Sequence, residues 1–148
     1  MFNLMNRNDF EELWKAHKSI VDEVQFVASK HCDGVYEFER LQVLTPFPSD
    51  VLVHGSYSCW TGAVSFTFWI EGLGPIIRYC MGGPAHSDAG RYHRHLMRNP
   101  EDIRQNLPYA EPRPDMSGWS AKQIWDQVCL EGNITHTETF YEPEYLCK

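Results

Sequence analysis

Apolar residues first recur at helical spacing. Phe10, Leu13, Trp14, His17, Val21, Val24 and Ala28 recur at three- and four-residue steps, with Leu13 and Trp14 adjacent, which is the stripe of an amphipathic helix. Asn8 or Asp9 supplies the N-cap, Glu11 and Glu12 suit the first turn, and Asp33-Gly34 ends the segment. The period then changes to two. Val64, Phe66, Phe68 and Ile70 alternate with Ser65 and Thr67, predicting a strand with one apolar and one polar face. Further strands are predicted over 35–44, 51–59 and 76–81. They are separated by the proline cluster at 46–50, a turn at 60–62 and a glycine-rich connection at 72–75. Short connections between neighbours imply antiparallel pairing.

Gly82-Gly83-Pro84 opens an irregular region in which 92–97 reads as a further short strand. The run 99–114 holds four prolines and reads as a functional loop or a packed arm. Helical spacing returns over 117–131, where Trp119, Ile124, Trp125, Val128 and Cys129 share a face and Gly132-Asn133 supplies the stop. The tail 134–141 reads as an edge strand. Together these elements predict one α+β domain over 1–148. Its central antiparallel sheet has about four to six strands. An N-terminal helix and a second helix near the C-terminus pack on one face.

Composition supports a folded chain. With 43% hydrophobic and 14% aromatic residues there is enough apolar material for a core, which excludes disorder. No apolar run approaches the roughly 18 residues of a membrane span, and the N-terminus lacks a signal-peptide run. No membrane partner and a cytoplasmic location are therefore expected. Cys32, Cys59, Cys80, Cys129 and Cys147 are scattered, odd in number and without a Cys-x-x-Cys pair. They read as free thiols rather than a disulfide framework or zinc ribbon.

Charge localises the chemistry. The formal net charge is −7, from 13 basic and 20 acidic residues, which argues against a general nucleic-acid or anionic-membrane coat. Between Arg78 and Arg113, however, six arginines face four acids, a local +2 that leaves −9 elsewhere, and three of the seven histidines lie there. Three readings follow. On an extended 92–97 segment His93 and His95 point the same way. They can act as an acid–base pair, with His86 orienting or sharing protons. Arg78, Arg91 and Arg94 would hold an anionic substrate, RNA or another phosphate-bearing molecule. This chemistry uses no cofactor and no metal. Alternatively, His-x-His with His86 or Asp88 could hold a metal ion. The run 90–101 is similar to the cupin motif in its His-x-His and later glutamate, although Glu101 lies six residues after His95 and the later glycine is absent. Thirdly, the stretch could be a solvated, charge-rich surface paired with Glu101, Asp102 and Glu111. Elsewhere, Trp60 and Trp69 read as core, His54 and His17 as packed or rim residues, and His136 as an exposed edge.

The order Pro75-Ile76-Ile77-Arg78-Tyr79, then His86, then His93-Arg94-His95 resembles the TumE-like group of small bacterial proteins. These include toxins of toxin–antitoxin pairs and prophage-encoded relatives. Cys129-Leu130-Glu131-Gly132-Asn133-Ile134 is similar to the close of their second helix, so the resemblance spans about 63–134. It implies a small antiparallel sheet with helices, and a gathering of Arg78, His86, His93 and His95 near one sheet face. It also implies a toxin-like or accessory role with a cognate protein partner. The competing expectation is a non-catalytic module whose acidic body binds a protein, as an inhibitor from a phage or mobile element would.

Overall fold

The computed structural model describes residues 5–86 and 88–147, without the side chain of His86. Helix α1 is Arg7–Lys15. Its cap is Asn6, whose side chain accepts the Asp9 N–H at 2.8 Å while Asp9 accepts the Asn6 N–H at 3.1 Å. Asp9 thus closes a capping box from inside the helix. The predicted continuation to Ala28 is corrected. The Lys18 ammonium folds back and donates to the carbonyls of Leu13, Trp14 and Ala16 at 2.7–2.8 Å, satisfying the helix end. Burial beyond it falls on Lys18, Ile20, Val24 and Phe26, whereas Val21 is 60% exposed. That period of two matches β1, Lys18–Ile20, which pairs in parallel with a strand near the C-terminus.

The main sheet is an antiparallel meander of seven strands in chain order. They are β2 (Val27–Ala28), β3 (Val35–Val43), β4 (Val51–Ser58), β5 (Val64–Ile70), β6 (Gly74–His86), β7 (Gly90–Leu96) and β8 (Ala110–Pro112). The sheet is slightly larger than expected because 27–28 and 110–112 add edge strands. Helix α2 is Ala121–Glu131, with a capping box between Ser120 and Gln123, and β9, Ile134–His136, partners β1.

Both helices cover one face of the sheet, as the apolar stripes predict. Trp14 of α1 meets Phe68 edge-on at 5.2 Å. Trp125 of α2 lies 5.1 Å from Phe66 and 5.7 Å from Phe140. Its indole N–H donates to His136 Nδ1 at 3.0 Å, and the other His136 nitrogen bonds the Asp22 carbonyl. The residue expected as a bare edge therefore satisfies a buried tryptophan. Gly55 lies opposite Phe38, whose ring fills the space a Cβ at position 55 would need. Gly55→Ala is expected to cost about 1–3 kcal/mol of stability, read as a lowered urea midpoint. An unchanged midpoint would mean that the ring moves aside freely.

Cys59 and Cys147 form a disulfide across 88 residues, so the expectation of five free thiols is corrected. Cys32 is exposed, Cys80 half-buried and Cys129 buried. Among the described residues no helix is long and apolar enough to cross a membrane.

Candidate functional site

Strand register separates two chemistries. On the helix side, one cross-strand row runs Phe38, Gly55, Phe66, Tyr79, Arg94, Glu111. On the opposite side one row runs Glu37, Ser56, Ser65, Cys80, His93, Pro112, and its neighbour runs His54, Thr67, Arg78, His95, Ala110. Residues directly opposite each other in an antiparallel pair share a face. The sheet therefore has a polar outer face that carries Arg78, Cys80, His93 and His95 together.

His93 and His95 are only 4% and 5% exposed, with ring centroids 4.8 Å apart and nearly perpendicular. Each Nδ1 lies 2.8 Å from a main-chain carbonyl, that of Gly90 for His93 and that of Leu107 for His95. A carbonyl can only accept, so each Nδ1 carries a proton, and in the neutral ring Nε2 then carries the lone pair. One ligand atom from each of Cys80, His93 and His95 lies within 4.8 Å of the others. Burial pushes the Cys80 thiol pKa up, while the charge and hydrogen bond of Arg78 pull it down.

The segment that delivers Leu107 is the 99–114 arm. Asp102, 2% exposed, accepts the N–H groups of Arg98 and Asn99 at 2.8 and 2.9 Å. Asn106 and Leu107 then adopt left-handed φ values of 57° and 56°. Such backbone costs about 1–3 kcal/mol per residue and collects where function constrains geometry. Here it aims the Leu107 carbonyl at His95 and turns Asn106 onto Arg78. Arg78 Nη1 donates to Asn106 Oδ1 at 2.9 Å, and Nη2 to its carbonyl at 3.1 Å.

The other expected residues are placed differently. Arg94 stands on the helix side, donating to Glu111 at 2.6 Å and Glu131 at 3.2 Å. Arg113 also reaches Glu131, at 2.7 Å, and Tyr79 donates to it at 2.6 Å. Burial alone would raise the Glu131 pKa. Hydrogen bonds from Arg113, Gln127 and Tyr79, with the Arg113 charge, instead hold it at about 2. Burial and the neighbouring Glu131 push the Tyr79 phenol well above its ordinary value. Arg91 caps the carbonyls of Gly82 and Gly83 at 2.6 and 3.2 Å. His86 ends β6, but its side chain lies outside the described residues. Asp88 is exposed and not part of the three-residue group.

Cys80 is the residue that sequence reasoning missed, since its partnership with His93 depends on the β6–β7 register. The only local signal was Arg78 and Cys80 at alternating positions, facing His95 and His93. Trp69 also departs from expectation. It is 41% exposed and helps floor an outer-face groove of about 530 Å³ beside Leu52 and His54. Trp60, likewise read as core, is 74% exposed and donates its indole N–H to the Asp33 carbonyl at 2.9 Å. No known family model, curated protein or solved structure matches the chain.

Proposed function

We propose that this chain is a metal-binding protein in which Cys80, His93 and His95 hold one zinc-class ion on the outer face of the sheet. The observation that carries the reading is the convergence of three ligand atoms within 4.8 Å. It is reinforced by the two carbonyls that direct both imidazoles. Metal-bound histidines generally donate their other ring nitrogen to such a group, which fixes the tautomer and raises ligand basicity. One thiolate and two imidazoles suit a borderline-soft ion, zinc above magnesium or calcium.

Cobalt(II), a spectroscopic stand-in for zinc, tests this directly. One equivalent per chain should bind and produce a thiolate-to-metal charge-transfer band. Cys80→Ser should abolish the band. His93→Gln and His95→Gln should each weaken binding by more than the roughly 10–100-fold that follows loss of an outer partner. Circular dichroism would verify that the variants remain folded. Equal affinity in wild type and Cys80→Ser would sink the reading.

A second reading keeps the outer face but uses His93 and His95 as an acid–base pair on RNA, as in a toxin-type accessory protein. What favours it is Arg78, directly opposite His95 in the ladder. Against it stands the burial of both rings, since a general base must reach the proton it removes. A short RNA added in place of cobalt distinguishes the two, because only the second reading expects cleavage that His93→Gln removes.

A further inference from the structure

We infer that the Cys80–His93–His95 site takes a small oxyanion, a carboxylate or phosphate group, and that Arg78 is the residue that receives it. This inference rests on the metal reading above and adds the chemical class of its ligand.

Ligand number is the first argument. The described residues bring three ligands together. Zinc sites closed by protein have four, whereas sites with three keep a position for an exogenous ligand.

Charge is the second. A divalent ion with one thiolate carries +1, and Arg78 raises the local sum to +2. Among the described residues no carboxylate joins the three-ligand group. The row of Arg78 and His95 contains no acid, and the row of Cys80 and His93 contains only Glu37, on β3. Three strand spacings from β6 amount to about 14 Å. Asp102 is engaged by two backbone N–H groups. A metal ion and an arginine with this surplus select an anion.

Preorganisation is the third. Asn106 holds both terminal nitrogens of Arg78. A guanidinium has five N–H donors. Among the described residues no other oxygen acceptor engages Arg78, so donors remain for paired contacts to an oxyanion. Access agrees with this assignment. Arg78 and Cys80 are half-buried, while both histidines are buried, so the site opens on the arginine side. The groove floored by Trp69 lies on the same face.

The experiment titrates acetate, and separately inorganic phosphate, into protein saturated with cobalt(II), following the ligand-field bands. A saturable change with either anion supports the inference, and the anion that acts identifies the class. Arg78→Met should keep the thiolate band and lose roughly 10–100-fold in anion affinity, the worth of a charge-assisted contact. Arg78→Lys should recover part of it as a point charge. Should Arg78→Met fail to fold, Asn106→Gly supplies the second variant. It suits the left-handed backbone and should weaken the anion by freeing the guanidinium. Cobalt binding with no response to either anion overturns the inference and leaves the metal reading intact. Equal anion affinity in wild type and Arg78→Met overturns the assignment of Arg78. Failure of cobalt to bind wild type overturns the metal reading itself.

Discussion

Replacing Glu131 with alanine is expected to destabilise the fold by about 3 kcal/mol. Glu131 sits at the end of α2, where Arg94, Arg113, Tyr79 and Gln127 converge on its two oxygens. Its side chain is 19% exposed, and those of Arg94 and Arg113 are 21% and 14% exposed. Removing the carboxylate strands two guanidinium groups that Glu111 and Asp115 only partly compensate. Breaking one partner of a desolvated pair costs more than the pair itself contributes. Glu131→Gln should cost less, because it keeps the volume and an acceptor for Tyr79.

The same group sets a pH dependence of definite sign. Its folded pKa of about 2 lies below the ordinary 4.5. The unfolded chain therefore binds the proton first. The stabilisation is complete above about pH 4.5 and is lost as pH falls toward about 2. The gap corresponds to at most roughly 3 kcal/mol, and about 2 once solvent screening of the half-buried group is allowed for. Urea midpoints across that acid window should slope downward in wild type and flatten in Glu131→Gln. Parallel slopes would place the acid sensitivity in other carboxylates.

What could be read in advance was local. The alternation of Val64, Phe66, Phe68 and Ile70 against Ser65 and Thr67 already described a strand with two chemically distinct faces, and the sheet is built on that contrast. The overlong first helix arose because steps of three and four and steps of two share a residue at Val24. Burial at Lys18 and Ile20 decides between them, and a lysine buried by three helix carbonyls has no signature in apolar spacing. The His93–His95 pair followed from alternation. The same rule, carried one residue further, turns Arg94 to the opposite face, so its separation from the histidines was legible too. Cys80 was not. Gly82-Gly83-Pro84 looked like the end of a strand that continues to His86, with an irregularity between Met81 and His86. The residue facing His93 depends on that irregularity, which no local pattern encodes.

The Cys59–Cys147 bridge is non-local in the same way, and its removal should have the largest effect on stability. Closing a loop of 88 residues restricts the unfolded chain enough to be worth about 4–5 kcal/mol in the chain-entropy account, with about 2–5 typical on removal of a native disulfide. The bridge also has a local consequence. It anchors the segment 142–147, and that segment caps α2. Glu144 accepts the Ala121 N–H at 3.1 Å, and Glu142 accepts the Lys122 N–H at 3.3 Å. These are first-turn amides with no partner inside the helix. Cys59→Ser and chemical reduction should therefore lower the melting temperature. They should also speed hydrogen exchange at Ala121 and Lys122 more than in the central strands β4 and β5. Because α2 seats Trp125 against Phe66, fraying at its start would loosen the core from that side. Disulfides persist mainly in oxidising compartments, so the cytoplasmic expectation loses the support it drew from scattered cysteines. A melting temperature that does not move under reductant, with exchange at Ala121 unchanged, would mean that the cap and the core hold the C-terminal segment without the bridge.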